Sequence, residues 1–251
     1  MIINPYIFFS FDTDALAFFS AAGITDGTQK SAVNQLVKDL KAGGLWTKMY
    51  AIYPFVGGSA TSHKFNLKNP VDSDAAYRLV FNGGWTHTSS GILANGVNGF
   101  ANTFLNASLV ILNSGSIGIY ITTNVSENGY DFTNIVGGTE QSVISRWGDN
   151  KFYINSGSAT YPNVANLDSR GLFSMTYNGS VIGYKNSTSV ITEVKASSGA
   201  NNTFKIGGTG FSNYSTKNYA FAYIADQLDS TEITNLYNYI QTFQTALSRN
   251  V

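Results

Sequence analysis

Two short stretches carry the side chains best suited to holding a sugar, Trp85-Thr86-His87 and Trp147-Gly148-Asp149-Asn150. An indole plane covers the C–H face of a pyranose ring, and a neighbouring imidazole, carboxylate or amide hydrogen-bonds its hydroxyls. Trp85, His87, Trp147, Asp149 and Asn150 are therefore the glycan-binding candidates. Each tryptophan also has a packing reading, since Trp147 closes an apolar run and Trp85 adjoins an Asn-Gly-Gly turn.

Catalytic patterns are absent. Retaining glycoside hydrolysis needs two carboxyl groups about 5 Å apart, yet the only glutamates, Glu127, Glu140, Glu193 and Glu232, are isolated along the chain. His63 and His87, the only histidines, lack the His-x-His or His-Glu-x-x-His spacing of a transition-metal site. The chain has no cysteine, which removes thiolate nucleophiles, zinc–thiolate centres and disulfides. Neither a Gly-x-Ser-x-Gly elbow nor a phosphate-cradling loop ending in Gly-Lys-Ser/Thr occurs. The expectation is a protein that is not an enzyme and carries no cofactor. Asp72 with Asp74, and Asp149 with Asn150, supply oxygen ligands of the kind Ca²⁺ takes, but short acidic turns also bond their own backbone.

Composition narrows the partners. Fifteen lysines and arginines balance fifteen aspartates and glutamates, and only 12% of residues are charged, so no basic field exists to gather nucleic acid. With 43% apolar and 14% aromatic residues in 251, the chain is able to bury a sizeable core. No apolar run is long enough for a membrane span. The N-terminus, with no basic residue before Lys30, does not read as a secretory signal.

The elements that must position these residues follow from periodicity. Ala15, Phe18, Phe19 and Ala22 form one helical stripe behind Asp14 and ahead of Gly23. Val33, Leu36, Val37 and Leu40 form a second, capped by Asp26 or Thr28 and ended by Gly43-Gly44. The aromatic run from Leu45 to Val56 reads as a buried connection broken by Pro54. From about residue 77 the punctuation becomes Asn-Gly, at 82–83, 95–96, 98–99, 128–129 and 178–179, between short β-prone runs. Strands are expected at Arg78 to Phe81, Leu109 to Leu112, Ile117 to Thr122, Ser142 to Trp147, Lys151 to Ile154, Thr203 to Gly207 and Tyr219 to Ala225. A hairpin about Asn178-Gly179, with a two-residue turn, pairs Tyr177 with Ser180, Met175 with Ile182 and Phe173 with Tyr184. Asp229-Ser-Thr-Glu232 opens a last helix with its stripe at Ile233, Leu236, Tyr237, Ile240, Phe243 and Leu247. The fold expected is mainly β, a two-sheet antiparallel sandwich, with a helical leader over 1–57 and the sandwich with its terminal helix over 58–251.

Gly171-Leu-Phe-Ser-Met-Thr-Tyr-Asn-Gly, Phe204-Lys-Ile-Gly-Gly and the run from Ala222 to Tyr237 resemble the closing half of concanavalin A-like, laminin-G-type jelly-roll domains. Glucanases on that fold carry Glu-x-Asp-x-x-Glu, which this chain lacks. The stretches Thr25 to Lys41, Met49 to Gly58 and Phe81-Asn-Gly-Gly-Trp-Thr-His87 resemble a leader found in structural proteins of tailed phages that infect Bacteroidetes-type bacteria. That resemblance implies a virion protein of head, tail or fibre, with copies of itself (a trimer among the arrangements) and other virion proteins as partners. A receptor-binding module for host surface polysaccharide is the alternative, and a polysaccharide depolymerase the third reading.

Overall fold

The computed structural model describes residues 10–110, 114–157, 160–194 and 200–251. Two helices come first, α1 (Thr13–Ala22) and α2 (Gly27–Ala42). The cap of α1 is Asp12, whose side chain accepts from the Asp14 amide at 2.9 Å, two residues earlier than the spacing suggests. Asp26 caps α2 through the Gln29 amide at 2.8 Å. The expected stripes are buried on both helices. Lys41 bridges the pair, 2.6 Å from both Asp12 and Asp14.

The run after α2 is more than a connection, because it contains strand β1 (Met49–Tyr53). Beyond the short α3 (Ala60–His63) come β2 (Val80–Asn82), β3 (Trp85–Thr88), β4 (Gly91–Ala94) and β5 (Phe100–Asn106). The strand expected at Leu109 to Leu112 is not formed: Ala107–Val110 is the helical turn α4, and 111–113 lie outside the described residues. There follow β6 (Ser114–Ile121), β7 (Phe132–Val136), β8 (Thr139–Ile144), β9 (Lys151–Gly157) and β10 (Asn163–Ala165). The last strands are β11 (Gly171–Asn178), β12 (Ser180–Lys185), β13 (Thr188–Val194), β14 (Thr203–Ile206) and β15 (Asn218–Ala225), before α5 (Ser230–Ala246).

These strands form two antiparallel sheets. Sheet one runs β13-β12-β11-β6-β15-β4-β3, with β1 also paired to β15, and sheet two runs β10-β9-β8-β7-β14-β5-β2. Between them lie Ile117, Ile119, Phe173 and Met175 of sheet one and Phe132, Val143, Phe152 and Phe204 of sheet two. Gln141 crosses this core and donates to the Tyr177 hydroxyl at 2.7 Å. A second core covers the other face of sheet one, where Tyr120, Leu172, Phe221 and Tyr223 meet the apolar stripes of α1, α2 and α5. This explains why β15 is buried at every position instead of alternating. The leader is woven into the sandwich: β1 is hydrogen-bonded to β15, and the buried Arg249 guanidinium donates to the Pro54, Phe55 and Ala220 carbonyls.

The hairpin of β11 and β12 corrects the expected register. Tyr177 pairs with Val181, Met175 with Gly183 and Phe173 with Lys185, so the loop holds three residues, Asn178, Gly179 and Ser180. A one-residue slip exchanges the faces of the returning strand: Val181 enters the core between the sheets, whereas Ile182 and Tyr184 join the helix-covered side. The two-residue reading fails because it assumes one apolar face, and here both are buried. Gly179 sits at φ 70° with open space around it, so Gly179→Ala should cost about 1 kcal/mol from backbone strain alone. Denaturant titration measures this; an unchanged midpoint contradicts the turn geometry.

Candidate functional site

With helices on sheet one, the outer face of sheet two is the broad face of the sandwich left for a ligand. Side chains on β8 and β9 alternate: Val143, Phe152 and Ile154 point into the core, which turns Glu140, Ser142, Ile144, Tyr153 and Asn155 outward. Register then aligns Ile144 with Tyr153 and Ser142 with Asn155. Tyr130 enters from the segment before β7, and Tyr161 folds back from the connection between β9 and β10. The Tyr161 hydroxyl donates to Glu140 Oε2 at 2.8 Å, Tyr130 donates to the same oxygen at 3.4 Å, and Ser142 donates to Oε1.

Trp147 stands on the turn between β8 and β9. Its amide donates to the Lys151 carbonyl and the Asn150 amide donates back to Trp147, both at 2.8 Å. Asn150 takes the left-handed conformation at φ 63°, which Asn tolerates. The Arg146 guanidinium holds Asn150 Oδ1 at 2.6 and 3.0 Å. So fixed, the indole meets the Tyr130 ring edge-on at 5.8 Å. Tyr130, Ile144, Trp147, Tyr153 and Tyr161 enclose a hollow of about 250 Å³. A larger hollow of about 550 Å³ shares Tyr130 and Trp147 and continues past Val136, Gly137, Phe211 and Asn213. Phe211 is 77% exposed.

The phenols are held in their protonated form. Tyr153 donates to Asp149 Oδ2 at 2.6 Å, and that bond, with partial burial, pushes its pKa up to about 12. The same bond holds Asp149 below the usual carboxylate range. Burial and the Glu140 charge raise Tyr130 and Tyr161.

Of the residues proposed from sequence, Trp147, Asp149 and Asn150 belong to this site: Trp147 lines it, Asp149 orients Tyr153, and Asn150 fixes the turn. Trp85 and His87 lie elsewhere, on β3 of sheet one. The Trp85 Nε1–H is bound to the Asn82 carbonyl at 3.1 Å, its ring edge meets Phe81, and its six-membered ring lies so close to Gly207 that a Cβ there would stand 2.8 Å away. These contacts are those of a packing residue. Asp72 and Asp74 are committed to cationic side chains: Lys64 lies 2.6 Å and Arg78 2.7 Å from Asp72, and Arg78 3.0 Å from Asp74. Ion pairs, rather than an open cation cage, account for this acidic turn. Among the described residues no group of three His, Cys, Asp or Glu is placed to hold a metal ion, and no helix is long and apolar enough to cross a membrane.

His87 Nδ1 lies 3.0 Å from Nδ1 of the buried His63, whose Nε2 accepts the Gly58 amide at 3.2 Å. With Nε2 an acceptor, His63 is neutral and donates from Nδ1. Burial first, then the neighbouring His87 and Arg249, lower its pKa to about 3. The unfolded chain therefore binds a proton near pH 6.5 that the folded chain refuses. Stability present above that value is lost as pH falls, by up to about 1.4 kcal/mol per unit toward pH 3. Urea midpoints at pH 7 and pH 4.5 should fall less for His63→Gln than for the wild type; equal slopes would contradict a neutral buried His63.

Local sequence does not single out Tyr130, Tyr153, Tyr161 or Glu140. The available signal is alternation on β9, where Tyr153 and Asn155 interleave with the core residues Phe152 and Ile154.

No protein-family model matches the chain, and neither does any curated protein. Solved structures do. A mutant sialidase of Trypanosoma rangeli displaying trans-sialidase activity superposes over 84% of this chain and 39% of its own, at 12% identity and TM-score 0.57. The receptor-binding domain of botulinum neurotoxin mosaic serotype C/D matches 77% of this chain and 51% of its own, at 12% identity and TM-score 0.53. The binding domain of botulinum neurotoxin DC, in complex with rat synaptotagmin II, matches 78% and 52%, at 14% identity and TM-score 0.53. The chain thus spans about half or less of each. At these identities the likeness is one of fold, the antiparallel β-sandwich.

Proposed function

We propose that this chain is a carbohydrate-binding module that holds its ligand on the outer face of sheet two without cleaving it. The observation that carries the reading is the hollow ringed by Tyr130, Trp147, Tyr153 and Tyr161, opening into a longer groove. Four aromatic rings around one space offer planes for the C–H faces of sugar rings, with hydroxyl and carboxylate oxygens at their edges. Another hollow of comparable size, about 530 Å³ between α2 and α5, is lined mainly by small and polar residues and lacks such a ring of planes. The sandwich also resembles, in fold, the receptor-binding domain of a botulinum neurotoxin. Retention of the chain on insoluble or gel-embedded polysaccharides tests the reading. Retention on at least one is expected, without release of reducing ends; passage through all of them contradicts it.

A second reading, supported by the resemblance of residues 25–41, 49–58 and 81–87 to phage leaders, places the module in a virion. There, copies of the chain and other structural proteins would cover exposed apolar side chains such as Leu167 and Val194. Antibody labelling of intact particles distinguishes display on a virion from a free module.

A further inference from the structure

The hydrogen-bond polarity of the hollow bears on which carbohydrates it accepts, an inference that rests on the glycan-binding reading above. The phenolic protons of Tyr130, Tyr153 and Tyr161 are all directed at carboxylates: Tyr153 at Asp149, Tyr161 and Tyr130 at Glu140. A phenol whose proton is committed has only lone pairs to offer. Asp149, with 42% of its side chain exposed, adds carboxylate oxygens at the rim. None of the residues lining either hollow is a lysine or arginine. Lys151 sits at the rim, 3.5 Å from Asp149 and 6.0 Å from the centre of the Tyr153 ring. Arg146 spends its guanidinium on Asn150 and Asn124.

We infer that the Trp147 hollow selects neutral, hydroxyl-rich glycans and discriminates against sialylated and uronate sugars. A neutral pyranose brings O–H donors to these phenol and carboxylate oxygens. A sugar carboxylate brings only acceptors, and its recognition normally takes a guanidinium or ammonium group in the lining. Placed beside Asp149 it also meets like charge.

Matched probe pairs test this with the intact chain: lactose against sialyllactose, and galactose oligomers against galacturonate oligomers, each titrated by calorimetry at moderate salt. The neutral member of each pair should bind at least about tenfold more tightly. Asp149→Asn, an exposed and nearly isosteric change that can still accept from Tyr153, should narrow that ratio several-fold. Equal or tighter binding of the acidic members, or a ratio unmoved by Asp149→Asn, overturns the inference while leaving glycan binding intact. Absence of binding by every probe, together with passage through every polysaccharide of the retention test, overturns both.

Discussion

Replacing Asp131 by alanine should remove about 3–5 kcal/mol of stability, the cost of leaving a buried cation without its partner. Asp131 and Lys217 are both fully buried, with Lys217 Nζ 3.1 Å from each carboxylate oxygen. Oδ1 also accepts from the Tyr219 hydroxyl at 2.9 Å, and Oδ2 accepts from the Ser145 amide and hydroxyl at 2.7 Å each. The carboxylate thus joins β15, the start of β7 and the end of β8, tying sheet one to sheet two just beneath the turn that carries Trp147. Against a typical total of about 5–15 kcal/mol, this loss would leave little of the folded state. The second acid near Lys217, Glu127 at 3.8 Å, is too distant to replace a direct pair and is already engaged by Ser215 and Thr216. The double variant Asp131→Leu/Lys217→Met should be far closer to wild type than Asp131→Ala, since no charge is then stranded. Denaturant midpoints of the three proteins give the comparison; a mild effect of Asp131→Ala would mean that water reaches Lys217.

Trp147→Ala should weaken glycan binding by about 2 kcal/mol, roughly thirtyfold in Kd, with the fold retained. The ring lies in both hollows and is half-buried, so its loss removes a stacking plane without opening the core between the sheets. Trp85→Ala gives the contrast. Trp85 packs against the sandwich core, so its removal should lower the thermal midpoint while leaving affinity within about twofold, the size of ordinary variation for a residue outside an interface. Reversal of these two phenotypes would move the binding site to β3.

Much of the architecture was legible where chemistry is local. Asp26 and Asp229 announce their helices because a capping side chain and an apolar stripe lie within one window, and Asn-Gly steps mark β turns for a similar reason. The failures are tertiary. The face of Ile182 and Tyr184 depends on α5, which lies some fifty residues away in sequence and covers the side of sheet one that a simple sandwich leaves to water. Asp12 in place of Asp14 as the cap is a choice between two competent acids two residues apart; Lys41 pairs with both, and it is Asp12 whose carboxylate accepts the Asp14 amide. At the site, Trp147 was visible because aromatic, turn and amide fall within four residues. Its companions were not, because Tyr130, Tyr153 and Tyr161 converge only once β7, β8 and β9 are in register. The same pairing separates Trp147 from Trp85, which shares its local pattern but hydrogen-bonds its indole to the Asn82 carbonyl at the end of β2.

The most direct measurement is a crystal structure of the chain soaked with the neutral oligosaccharide that binds most tightly in solution. A sugar ring is expected against Trp147 in the hollow bounded by Tyr130, Tyr153 and Tyr161, with further units running toward Phe211. Sugar seated instead on β3 at Trp85, or between α2 and α5, with the Trp147 hollow empty, would contradict it.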